Sequence, residues 1–430
     1  AQIKTGTQVL EIDGLPALSA IKDFGTRISS SSEKANLTEA SEDFFLRTFA
    51  YPKNQIVSLK LEVSGQTPMT VELPWLFYVA KGGDFLESPL ALDRLGFPTL
   101  ESTGVSQLPS RQGLNLDQPV FPLTQRKDYD SLDEEPVLTT GEFELSGHKL
   151  CYLQIRSFDI DWNQGVPAAI LRKTDSAIVS MDTVVAEFLA QCQATTESLV
   201  LDLRNNRGGN GLLAEDVGLM LEPTDSPSPG RSSAMRLTSG NLSVFQSSLD
   251  GLTLHNVRQK FLLEALSTQD KDTLTPWITL QKVDAERGIF NKPILTLISE
   301  KCFSACEMMV NRLQLQNRSL LVGSPTHGTG FGFSSFAKGE TLWRDSFNLF
   351  SMRIPNYAFQ TFFVDETQSE KVDDRQGQMV PFQVQHLMEN RPRKPDVLVE
   401  YSPEDLRNNL SSYRSQIERI LFERVLPPIP

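Results

Sequence analysis

The 430-residue sequence predicts a mixed α/β fold. Three observations carry that expectation. Apolar runs of strand length (KLCYLQI, SLVLDLR, KPILTLIS and SLLVG) recur between residues 149 and 323. Segments with apolar residues at helical spacing separate them: SAIVSMDTVVAEFLAQCQ, LLAEDVGLMLE and EKCFSACEMMVNRLQLQ. Ahead of them, short alternating runs bounded by Gly and Pro read as small paired strands. The length corresponds to two or three domains and is ample for a sizeable core.

In chain order, residues 1–75 read as a small strand-and-turn module. TQVLEIDGLPAL holds a strand around Val9, Leu10 and Ile12, an Asp13-Gly14 turn, and an apolar-Pro step into a helix. QIVSLKLEVSG and MTVELPW alternate as a strand pair. Residues 76–146 are irregular and rich in Pro and Gly, which predicts a linker or cap with few regular elements. The α/β pattern then occupies 147–430, interrupted at about 223–292 by a Pro/Ser-rich loop (EPTDSPSPGRSS) and a mostly polar, helical stretch.

The net charge of −13 argues against nucleic acid or anionic lipid as partners. No apolar run is long enough to span a membrane. Cys151, Cys192, Cys302 and Cys306 match no disulfide framework or metal spacing, and are expected to be buried or semi-buried free thiols. No metal or organic cofactor is implied. The opening AQIKTGTQVL reads as the start of a mature or trimmed product, or of a sequence from which an upstream segment is omitted.

Ser304 follows a strand and a Lys-Cys-Phe turn, and opens a helix. Most serines so placed are N-caps. The position also suits a nucleophile, because first-turn amides have no internal acceptor and lie at the positive end of the helix dipole. A second loop, Asp202-Leu203-Arg204-Asn205-Asn206-Arg207-Gly208-Gly209, leaves a buried strand and enters a helix through paired glycines. Most Gly-Gly turns are only turns, but this type lets backbone approach a substrate and offer an N–H to an anion.

Taken together and in order, LVLDLRNNRGG and PILTLISEKCFSACEMMVNRLQLQNRSLLVGSPTHGTG resemble the core of the C-terminal processing (tail-specific) proteases, a ClpP/crotonase-like fold. QVLEIDGLP resembles the second half of a PDZ module, so the sequence is expected to begin inside that module. The resemblance implies a serine endopeptidase acting on protein or peptide substrates. It puts the nucleophile at Ser304 and the oxyanion donors at the backbone N–H groups of Gly209 and Ala305. Where the Ser-Lys branch carries its general-base Lys, this sequence has Thr329. Thr329 cannot take up a proton at neutral pH, so the resemblance is closest to the tricorn and chlamydial secreted protease branch, which uses Ser, His and Glu.

Glu389, in Met388-Glu389-Asn390-Arg391-Pro392-Arg393-Lys394-Pro395-Asp396, falls on that branch's glutamate. The base is His327, in the loop after the last core strand, or a His upstream of Ala1. His148 and His255 are expected at the surface. The alternative function is a catalytically inactive peptide- or ligand-binding protein on the same fold. The resemblance further implies a periplasmic or secreted location, and a homo-oligomer or an upstream segment that supplies the base.

Overall fold

A computed structural model describes residues 7–26, 28, 32–44, 56–62, 66–74, 118–130, 136–158, 170–173, 178–225, 230–235, 278–279, 287–329, 331–332, 342–344, 351–353, 357–364, 371–373, 379–387 and 391–426. The chain divides into two compact units. The first contains residues 1–116, 342–353 and 401–412, and the second the remainder.

In the first unit, β1 (Gln8–Ile12) turns back through Asp13-Gly14 into the short β2 (Leu15–Pro16). Both turn residues have positive φ, 51° and 79°, as a tight two-residue hairpin requires. Helices α1 (Ala17–Gly25) and α2 (Glu33–Asp43) follow, then β3 (Ile56–Glu62) and β4 (Met69–Pro74). The sheet order is β2-β1-β3-β4, antiparallel throughout. Alternation along β3 buries Val57, Leu59 and Leu61 against Ile12, Ala20, Phe24, Ala40 and Phe44. The strand–turn–helix start and the β3–β4 pair follow the sequence pattern.

The second unit is built on a nine-stranded sheet. Its strands are β5 (Thr124–Asp130), β6 (Pro136–Leu145), β7 (His148–Ile155), β8 (Ile170–Lys173), β9 (Ile178–Ser180), β10 (Ser198–Asp202), β13 (Ile294–Ile298), β14 (Leu320–Gly323) and β21 (Val397–Leu398), in the order β21-β14-β13-β10-β7-β6-β5-β8-β9. From β7 to β21 neighbouring strands are parallel, each added to the same side of its predecessor. Helices α3 (Met181–Thr195), α4 (Gly211–Leu221) and α5 (Ala305–Leu315) make the crossovers. Right-handed crossovers in this order put all three on one face, and one core cluster joins Val185, Leu189, Leu199, Leu201, Val217, Val310 and Leu313. Every residue of β10 and β13 is buried, as expected of parallel strands covered on both sides.

Between α4 and β13 the chain contributes β11 (Gly230–Met235) and β12 (Ile278–Thr279) to a second, antiparallel sheet. Its other strands are β15 (Phe331–Gly332), β18 (Tyr357–Val364), β19 (Lys371–Asp373) and β20 (Met379–Leu387). The hairpin β16 (Leu342–Arg344) and β17 (Ser351–Arg353) and helix α6 (Pro403–Arg407) belong to the first unit. Helix α7 (Ser411–Ile420) runs on into a π-turn over Leu421–Val425.

Three expectations need correction. Residues 124–130 and 136–145 are strands of the main sheet, although this stretch was expected to be irregular. The four cysteines are not free thiols: Cys151 pairs with Cys192 and Cys302 with Cys306, at Cα separations of 5.9 and 5.3 Å. His148 is buried rather than superficial, with Nδ1 2.7 Å from Glu197 Oε2. His255 lies outside the described residues.

Candidate active site

The parallel strands β7, β10, β13 and β14 end together, and the loops that leave them converge. In open α/β sheets the ligand site forms at these carboxyl ends. Ser304 stands at the N-cap position of α5, but its hydroxyl does not cap the helix. Its backbone has φ 56° and ψ −119°, a region that a side-chain-bearing residue rarely occupies. Such a strained strand-to-helix turn presents its side chain outward, away from the helix it precedes. Among the described residues Ser304 Oγ has no hydrogen-bond partner.

Against this turn lies the loop that leaves β10. Asp202 is fully buried and takes the Arg204 guanidinium on both oxygens, at 2.8 and 2.7 Å. It also accepts from Tyr152 Oη at 2.5 Å and Gln154 Nε2 at 3.2 Å. Burial beside that carboxylate pushes the Tyr152 hydroxyl well above its ordinary value. Arg204 lies over the Tyr413 ring and donates to Gln118 O. The charges are thus paired where they are desolvated, and the strand end is fixed.

Beyond it, Asn206 Nδ2 donates to Ile155 O at 3.0 Å and its Oδ1 accepts from Gly208 N at 2.8 Å. Phe158 donates to Gly208 O and accepts from Asn210 N, both at 2.7 Å, so the loop adds a short parallel bridge beside β7. Gly208 has φ 85°, and a Cβ on it would lie 2.7 Å from Phe303 O and 2.9 Å from Ser304 Cβ. Only glycine permits that approach. Asn206 consumes the Gly208 N–H and leaves that of Gly209. Among the described residues neither Gly209 N–H nor Ala305 N–H has an acceptor; Ala305 follows Ser304 directly, and Gly209 follows the glycine that lies against the Ser304 turn. An anion forming on a carbonyl held at Ser304 would meet two donors there.

The third loop, residues 324–329 after β14, is held by a residue to which the sequence reading gave no role. Glu307, in the first turn of α5, is 2% exposed and accepts from Thr326 Oγ1 at 2.6 Å, Gly328 N at 2.7 Å and Thr329 N at 2.6 Å. Burial pushes its carboxyl up to about 7, against the pull of these donors and of His327. His327 is buried: its N donates to Cys302 O at 3.0 Å, Nδ1 lies 2.5 Å from Thr329 Oγ1, and its ring is 5.5 Å from that of Phe303. It therefore packs beside the residue preceding Ser304, without a hydrogen bond to Ser304. Asn206 was equally overlooked; an Asn two residues before a Gly-Gly pair was the available signal.

The late segment closes the back of this loop. Thr326 N donates to Arg393 O at 3.0 Å, and Arg393 N donates to Thr326 Oγ1 at 2.7 Å. Leu321 N donates to Asp396 Oδ2 at 2.8 Å. Glu389 lies outside the described residues. His386 is on β20, paired with Thr361 of β18. The structure thus brings Ser304, Ala305, Gly209 and His327 into one loop layer.

Comparison with known proteins matches residues 149–341 to the profile of Peptidase family S41. No curated protein sequence matches the chain. Among solved structures, mature CPAF complexed with lactacystin superposes with a TM-score of 0.61 at 18% identity, covering 98% of this chain and 78% of that one. A second structure of mature CPAF gives 0.58 at 17% identity, covering 98% and 78%. The chain is similar to these in fold.

Proposed function

We propose that this chain is a serine endopeptidase of the Peptidase family S41 kind, cleaving protein or peptide substrates through an acyl-enzyme on Ser304. The observation that carries this reading is the strained Ser304 turn packed against Gly208, with the N–H groups of Gly209 and Ala305 unpaired among the described residues. Ser304 Oγ attacks the scissile carbonyl carbon while its proton passes to an imidazole, and the carbonyl oxygen takes the negative charge between the two donors. Collapse expels the amine, which takes the imidazolium proton and leaves an ester on Ser304. Water, deprotonated by the same imidazole, then frees the acid and restores the serine.

The imidazole is that of His327 or of a segment preceding Ala1, with Glu389 orienting the ring. The packing of His327 against Phe303 supports the first; the lack of a hydrogen bond from His327 to Ser304 among the described residues supports the second. His327→Phe separates them, since full activity in that variant removes His327 from the mechanism.

The sequential parallel strands with crossovers on one face support a ClpP/crotonase-like core, and the β1–β4 sheet with its helices supports a PDZ-like module. The two disulfides support an oxidising compartment, periplasmic or extracellular. Among the described residues no helix is long and apolar enough to cross a membrane.

The test is labelling by a fluorophosphonate together with hydrolysis of an unfolded protein. Ser304→Ala is expected to abolish labelling and to cost on the order of 10⁶ in turnover at unchanged fold. Lactacystin, which one solved CPAF structure holds, is expected to compete for the label. A folded wild-type protein that neither labels nor hydrolyses would leave the binding-protein reading in its place.

A further inference from the structure

We propose that Cys302 and Cys306 are positioning residues for Ser304, and that their disulfide is the clamp holding the serine in its left-handed conformation. The inference rests on the peptidase reading and adds a constraint on the same site.

The bridge spans a separation of 4 residues, with Ser304 at its midpoint. A backbone at φ 56° and ψ −119° persists in a serine only where the surroundings over-determine it. No side-chain hydrogen bond of Ser304 does so. The two bridge ends are anchored instead. Cys302 N donates to Ser299 O at 2.9 Å and its carbonyl accepts from His327 N at 3.0 Å. Cys306 sits in the first turn of α5, its N donating to Phe303 O at 3.2 Å. Both cysteines are fully buried. Gly208 lies against the same turn: a Cβ on it would be 2.7 Å from Phe303 O and 2.9 Å from Ser304 Cβ.

The second disulfide provides an internal contrast. Cys151–Cys192 ties β7 to α3 across a separation of 41 residues. Loop-closure entropy grows with the length closed, so that bridge is the stronger global staple and the short one acts mainly on local geometry. Forming the clamp joins two thiols with loss of two protons and two electrons; a small disulfide such as oxidised glutathione accepts them and leaves as two thiols.

The experiment compares Cys302→Ala/Cys306→Ser with Cys151→Ala/Cys192→Ala by the saturation kinetics of a peptidyl fluorophosphonate. The first pair is expected to lower the maximal acylation rate about 10- to 100-fold, the cost of misplacing a reacting group, with half-saturation within about twofold of wild type. The control pair is expected to lower the melting temperature and leave that rate within about twofold. A second measurement uses Cys151→Ala/Cys192→Ala protein, reduced in denaturant and refolded with or without oxidised glutathione. The acylation rate is expected to track the loss of free thiol. Acylation at the control's rate without the clamp, in either measurement, overturns the proposal. So does failure of every unclamped form to fold, which would make the bridge a folding staple. A wild-type protein that does not acylate defeats the peptidase reading instead.

Discussion

Glu307 is held by three donors from the 326–329 loop, yet burial raises its carboxyl from 4.5 to about 7. Between those two values the folded protein keeps a proton that the unfolded chain has released. Stability is therefore lost as pH rises through that window, by on the order of 3 kcal/mol. Glu307→Gln is expected to flatten this slope. Urea unfolding at pH 4.5 and 7.5, compared between wild type and variant, checks it; an unchanged slope would assign the dependence to another group. The sequence did not reveal this residue. A glutamate in the first turn of a helix reads as a partner for the helix dipole, and its contacts come from a loop that only the fold brings near. Ser304 was legible because strand, short turn and helix follow one another locally.

At the scale of elements, the site depends on how closely the β10 loop approaches the start of α5. Gly208→Ala places a methyl 2.7 Å from Phe303 O and 2.9 Å from Ser304 Cβ, at φ 85°. The turn must yield, and kcat is expected to fall about 100-fold with KM little changed, because the reacting oxygen shifts while the rest of the cleft remains. Steady-state hydrolysis checks it, and unaltered kcat would show that the two loops move independently. The parallel strands were legible because strands buried on both faces read as unbroken apolar runs. β6 was not, because Thr139, Thr140 and Glu142 are buried polar residues of a strand. Thr139 donates to Asp128 at 2.6 Å and Glu142 meets Lys149 at 2.7 Å, partners that only the neighbouring strands supply. Glu389 falls on its motif in sequence and lies outside the described residues.

Across the whole molecule, each unit has its own apolar core, and the Cys151–Cys192 bridge staples the larger one. Cys151→Ala/Cys192→Ala is expected to cost about 3–4 kcal/mol, the loop-closure value for a link of this length. Chemical denaturation measures it; a loss below about 1 kcal/mol would mean that the reduced chain is already constrained there. The sequence concealed both bridges because separations of 41 and 4 residues match no framework. Cys151 and Cys192 meet only once β7 and α3 have packed.

The last parallel strand has a consequence in time. β14 finds its outer neighbour in Val397 and Leu398, and Thr326 its support in Arg393. A ribosome delivers this chain from the N-terminus, so Ser304 leaves the exit tunnel well before the strand that braces the neighbouring loop. Until residues 393–398 emerge, the nascent chain carries Ser304 without that brace. The order of synthesis thereby postpones assembly of this loop layer until residues 393–398 have been made.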